Sequence, residues 1–140
     1  MADRRHARGL LDTSVVIDLE RIAHDQLPLE VAISAVTMAE LAAGPHATED
    51  PDERARRQDR LQRAEATFEP LPVDAAVARA YGRVYAAVAA AGRKARGRRA
   101  LDLLIAATAL AAGLPLYTRD PADVPEITGI IEIVAVQVPG

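Results

Sequence analysis

At 140 residues, half of them hydrophobic, the chain is sized for one compact domain with one core, taken as residues 1–140. A charged fraction of 26% excludes a disordered chain, and the absence of cysteine excludes disulfide frameworks, thiolate nucleophiles and cysteine-based zinc or iron–sulfur sites. The net charge of -3 argues against a general nucleic-acid coat protein, while the polar, basic start and the shortness of the apolar runs point to a cytoplasmic protein with no membrane span.

Residues 9–12 (GLLD) are a short apolar run ending in an acid, as a buried strand would be. Val15, Val16, Leu19, Ile22 and Ala23 then recur at helical spacing and predict a helix over 14–24. Pro28 separates it from an apolar strand over 31–36, and a short helix over 37–43 is stopped by Gly44 and Pro45. A charged helix over 52–68 has a narrow apolar stripe of Leu61, Ala64 and Phe68, and its interleaved acids and arginines suit i,i+4 pairing on an exposed face. Pro70 and Pro72 break the chain before Asp74, which caps a helix carrying Val77, Tyr81, Val84 and Val88 on one face and ending at Gly92. Residues 93–99 (RKARGRR) are basic and irregular. Residues 100–112 are apolar almost all round, the mark of a helix in the middle of a fold, and 114–118 and 130–136 read as strands. Short apolar strands alternating with helices predict an α/β domain whose mainly parallel sheet is covered on both faces. In such folds the chemistry gathers at the carboxyl ends of the strands.

Several acids stand at such places. Asp12 ends the first strand; it is either an N-cap or a functional group, and Thr13 or Ser14 next to it can cap in its stead. Glu40 fits a capping box opened by Thr37, in which a Glu three residues on reaches back to the cap. Asp102 is the only acid between Asp74 and Asp120, at the start of the most apolar helix, where its carboxylate needs a partner, either Arg98 or Arg99 or a metal ion. Asp120 follows the strand at 116–119 and either opens a turn or serves the site, with Asp123 able to assist or replace it. Carboxylate oxygens unaccompanied by His or Cys are hard ligands suited to Mg²⁺ or Mn²⁺, and metal-assisted phosphodiester hydrolysis is the chemistry such a cluster suits best.

These segments resemble one family as an ordered set: LLDTSVVIDL at 10–19, SAVTMAELAAG at 34–44 and DLLIAATALAAGLPLYTRD at 102–120. The chain is similar to PIN-domain proteins, most of all to VapC-type ribonuclease toxins of bacterial toxin–antitoxin pairs. The resemblance implies a three-layer α/β/α fold in which Asp12, Glu40, Asp102 and Asp120 surround one or two Mg²⁺ or Mn²⁺ ions. It implies cleavage within structured RNA, with Ser14 and Thr118 as hydroxyls that orient a carboxylate or a water. It also implies a homodimer, and silencing by a cognate VapB-like antitoxin whose C-terminal tail enters the acidic groove. The third motif departs from the common Thr-Arg-Asn ending: here Asp120 and Asp123 both precede Val124, so ligand duty stays open between them.

Just upstream of Asp102, Arg93, Lys94, Arg96, Arg98 and Arg99 form a basic segment expected to contact RNA phosphates beside the metal; the alternative is a solvated or acid-paired loop. A haloacid-dehalogenase-like phosphatase with Asp12 as nucleophile is the rival enzyme, but it requires an acid where Ser14 stands.

Overall fold

The structure, a computed structural model, describes residues 5–94 and 96–139. Four parallel strands, β1 (Arg8–Leu11), β2 (Glu30–Ile33), β3 (Leu116–Thr118) and β4 (Ile133–Ala135), form one sheet in the order β2-β1-β3-β4. Five α-helices accompany it among the described residues: α1 (Thr13–Ile17), α2 (Ala35–Ala43), α3 (Pro51–Thr67), α4 (Ala75–Ala90) and α5 (Arg98–Ala112).

The strands are apolar without a break because both faces of the sheet are covered. Side chains alternate between the faces. Leu10 and Leu116 enter a core shared with Val84 and Val88 of α4 and Leu103 and Ile105 of α5. Leu11, Ile33 and Tyr117 enter a second core shared with Val15 and Val16 of α1, Leu41 of α2 and Ala64 of α3. The outcome is the expected three-layer α/β/α arrangement. Tyr117 lies so close over β1 that a Cβ at residue 9 would stand 2.4 Å from its ring, so this strand position admits only glycine.

Several boundaries differ from the expectation, each for a local reason. The helix expected over 14–24 is only α1; the chain leaves the helical basin at Asp18 (φ -104°, ψ 14°) and reaches Ile22 and Leu27 through two 3-10 turns, Leu19–Arg21 and His24–Gln26. The strand expected over 31–36 stops at Ile33 because Ser34 caps α2, its hydroxyl accepting from Val36 N at 3.0 Å. The last strand starts late, since the N–H groups of Ile130 and Ile131 both bond back to Ile127 O in a turn. Asp74 does cap α4, accepting from Val77 N at 3.0 Å. On α3 the expected pairing is present: Arg56 and Arg57 meet Glu53, and Arg63 meets Asp59.

The topology also locates a crevice. From β1 the chain crosses to β2 on one side, while β3 lies on the other, so the carboxyl ends of β1 and β3 flank a switch point, the usual ligand site of an open parallel sheet.

Candidate active site

A cleft of about 240 Å³ opens at that switch point, lined by Asp12, Glu40, Asp102, Asp120 and Asp123 together with Ser14, Thr118, Arg98 and Arg119. All five acids singled out from sequence therefore face one space, although they come from four separate segments of the chain.

Asp12 leaves β1 and caps α1 itself. Its Oδ1 accepts from Val15 N at 3.1 Å and from the Ser14 hydroxyl at 2.5 Å. The expectation that Thr13 or Ser14 would cap in its place is thus corrected: Ser14 serves Asp12 rather than replacing it. Ser14 Oγ in turn accepts from Arg119 N at 3.2 Å, tying the end of β1 to the end of β3. Burial raises the Asp12 pKa, the bonds from Ser14, Thr118 and Val15 oppose the rise, and the charge of Asp120 adds to it. Of the two hydroxyls expected to orient a carboxylate, Ser14 donates to Asp12 at 2.5 Å, and Thr118 acts on Asp12 to lower its pKa.

Glu40 is not part of a capping box. Because Ser34 is the cap of α2, Thr37 already lies inside the helix and Glu40 sits in the second turn. Its Oε1 accepts instead from Thr13 Oγ1 at 2.6 Å, and Thr13 Oγ1 also lies 3.1 Å from Thr37 Oγ1. Thr13 went unrecognised in the sequence, where it reads as one more residue of a capping triplet.

Asp102 does not start its helix either. Gly97 enters α5 with φ +57°, and Arg98 and Arg99 occupy the first turn, so Asp102 falls in the second. Neither arginine pairs with it: among the described residues its carboxylate has no ion pair and no hydrogen-bond donor. Burial, then the charges of Glu40 and Asp12, lift its pKa to about 6; Arg98 offsets part of the rise and Asp123 adds to it. A carboxyl group raised by its like-charged neighbours marks a site poised to take up positive charge.

Asp120 and Asp123 bracket a 3-10 turn, Pro121–Asp123, and both are exposed. Asp120 makes no side-chain cap bond there, so its carboxylate does not serve the turn, and its N–H is held by Thr118 Oγ1 at 3.1 Å. The charge of Asp120 acts on Asp12, whereas that of Asp123 acts on Asp102.

The basic segment divides. Arg93 and Arg99 both pair with Glu126, and Arg99 Nη1 also donates to the Asp123 carbonyl at 2.8 Å. For Arg93 and Arg99 this is the acid-paired arrangement weighed above as the alternative to phosphate contact. Arg98 lines the cleft, and Lys94 and Arg96 are exposed. Arg119, not recognised from sequence, lines the cleft too and pairs with Asp18. Neither Arg119 nor Glu126 stands out without the tertiary fold.

The donor set fits a hard divalent cation: it is all oxygen, negatively charged and partly buried. Among the described residues no three His, Cys, Asp or Glu side chains lie close enough together to hold one metal ion between them. Mg²⁺ is commonly held by only one or two carboxylates, since it keeps several waters.

Comparison with known proteins gives the site its context. The PIN domain family model matches residues 9–126. Ribonuclease VapC5 of Mycobacterium tuberculosis is 40% identical over 117 residues, which cover 81% of this chain and 84% of that protein. Ribonuclease VapC4 of the same organism is 36% identical over 116 residues, 81% of this chain and 86% of that protein. In structure, VapBC-5 from Mycobacterium tuberculosis, a member of the VapBC family of toxin–antitoxin systems, superimposes with a TM-score of 0.81 at 39% identity, covering 93% of this chain and 99% of that one. Sequence and fold agree, and the chain belongs to the PIN domain family, within its VapC ribonuclease branch.

Proposed function

We propose that this chain is a divalent-cation-dependent endoribonuclease toxin that hydrolyses phosphodiester bonds in structured RNA and is neutralised by a cognate VapB-like antitoxin. The observation that carries the reading is the convergence of Asp12, Glu40, Asp102 and Asp120 from four segments onto one cleft at the switch point of the sheet. VapC5 and VapC4 carry the name ribonuclease, and the VapBC-5 structure belongs to a toxin–antitoxin system, which supports both the activity and the partner. Among the described residues no helix is long and apolar enough to cross a membrane, in keeping with action in the cytoplasm, and a homodimer is the assembly proposed.

The residues that would hold the cation are Asp12, Glu40, Asp102 and Asp120, with Asp123 as the alternative or additional ligand. Mg²⁺, or Mn²⁺ in its place, supplies charge stabilisation on the phosphate and a more acidic water when bound. The chain's own residues fix the geometry. Ser14 and Thr118 orient the Asp12 carboxylate, Thr13 orients Glu40, and α5 brings Asp102 within reach of the charges of both. Arg98, with Arg96 and Lys94 beside it, holds RNA phosphates at the rim of the cleft.

Purified protein is expected to cleave a structured RNA with Mg²⁺ or Mn²⁺, to stop in EDTA, and to leave 3′-hydroxyl and 5′-phosphate ends. Products ending in 2′,3′-cyclic phosphate would overturn the reading, because they arise from attack by the RNA's own 2′-hydroxyl.

A further inference from the structure

Glu126 lies outside the cleft, and no step above uses it, yet its side chain is only 4% exposed. A carboxylate buried to that degree needs compensation. Arg99 provides it from the first turn of α5, and Arg93 provides more from the segment before that helix, at 3.3 Å. The Arg99 guanidinium also donates from Nη1 to the Asp123 carbonyl at 2.8 Å, while Nη2 faces Glu126. A planar fork that satisfies two acceptors at once fixes both of them in direction as well as in distance.

The placement gives this contact a function. Arg99 stands three residues before Asp102 on α5, one helical turn away, and Glu126 stands three residues after Asp123. Among the described residues, the hydrogen bonds joining α5 to residues 120–127 all come from Arg99.

Building on the cation-dependent reading, we infer that Arg99 and Glu126 are positioning residues, a buried clamp that sets the turn bearing Asp120 and Asp123 against Asp102 and holds the cleft open for a divalent cation. Outer partners of this kind typically change metal affinity or activity by about 10–100-fold when altered.

The test uses the full chain with Mn²⁺ as probe and three readouts: Mn²⁺ binding from the paramagnetic resonance signal of the free ion, the Mn²⁺ concentration giving half-maximal cleavage of a structured RNA, and the melting temperature in EDTA. Glu126→Gln is expected to raise the Mn²⁺ dissociation constant and the half-maximal concentration together, by about 10–100-fold, with much of the cleavage rate recovered at saturating Mn²⁺. Arg99→Lys, which keeps the charge but not the fork, is expected to shift both in the same direction by less. If either variant melts lower in EDTA but binds Mn²⁺ as the parent does, the pair is only a stabilising bridge and the inference is overturned. If neither variant folds, the pair is a folding element and the inference is likewise overturned. A parent that binds Mn²⁺ but cuts no RNA sinks the ribonuclease reading alone, because the binding shift still decides the clamp; a parent that binds no Mn²⁺ sinks both.

Discussion

Thr13 Oγ1 donates a 2.6 Å hydrogen bond to Glu40 Oε1, so the carboxylate is aimed from the first turn of α1 and not from the start of its own helix. This separates the two roles that Glu40 can have in the sequence. The Thr13 bond survives in a Gln, whose amide oxygen also accepts, whereas the negative charge that a hard cation favours does not. Glu40→Gln is therefore expected to melt in EDTA at or slightly above the parent temperature, since it removes a charge acting on Asp102. Binding of a cation at a hundredfold excess over Kd stabilises the native state by about 2.7 kcal/mol, and this rise should shrink in the variant. Cleavage should fall by more than the roughly 10–100-fold typical of an outer-shell loss. A variant that melts markedly lower in EDTA but keeps its cation-induced rise would return Glu40 to a structural role.

Asp102 carries the pH dependence. Its pKa is raised to about 6 in the folded protein, against about 3.9 in an unfolded chain. Below the unfolded value both states are protonated and the group contributes nothing. Between the two values the unfolded chain ionises first, so the native state loses stability as pH rises, and the full cost is present above about 6. Asp102→Asn should thus raise the cation-free melting temperature at pH 7, and the difference from the parent should vanish below about pH 4. The same variant should abolish cleavage. Equal melting temperatures at pH 7, or cleavage near the parent rate, would mean that the carboxylate neither feels its neighbours nor serves the cation.

The sequence made the sites of the acids legible because each is announced locally. Asp12 ends an apolar run, Asp102 stands alone in an apolar helix, and Asp120 closes a strand. The sheet class was legible for the same reason, from Leu10-Leu11 and Leu116-Tyr117 set between helical patterns. What stayed hidden depends on partners far away in the chain. The Thr13–Glu40 bond and the Arg99–Glu126 pair each join residues 27 apart, and no local pattern distinguishes either from a cap or a basic loop. The capping box at Thr37 misled because Ser34, three residues earlier, is an equally good cap and the turn of chain after Ile33 selects it. The long first helix misled because 3-10 turns deliver Ile22 to the same core that a continuous helix would have reached.

The basic segment predicts a division of labour among its arginines. Replacing Arg96 and Arg98 with Gln should weaken RNA binding across sequences and flatten its salt dependence, by about one unit of slope for each phosphate that is no longer neutralised. Cation affinity should change little in Arg96→Gln alone, whereas Arg98→Gln also removes a positive charge that favours the ionised form of Asp102. A salt titration by fluorescence anisotropy decides this: an unaltered slope makes both arginines solvated surface groups.

The two acids of the last turn are separable by the neighbours on which each acts. Asp120 acts on Asp12, and Asp123 acts on Asp102. If Asp120 is the fourth ligand, Asp120→Asn removes a donor and should reduce cleavage at every pH, by at least the roughly 10–100-fold of an outer-shell change. Asp123→Asn should keep more activity and alter its pH profile. A negative charge beside Asp102 disfavours ionisation there, so neutralising Asp123 lowers the Asp102 pKa. Since Asp102 must be ionised to hold a cation, cation binding and cleavage should persist to lower pH in Asp123→Asn than in the parent. The converse pattern, with cleavage lost in Asp123→Asn and retained in Asp120→Asn, would transfer ligand duty to Asp123 and leave Asp120 outside the ligand set.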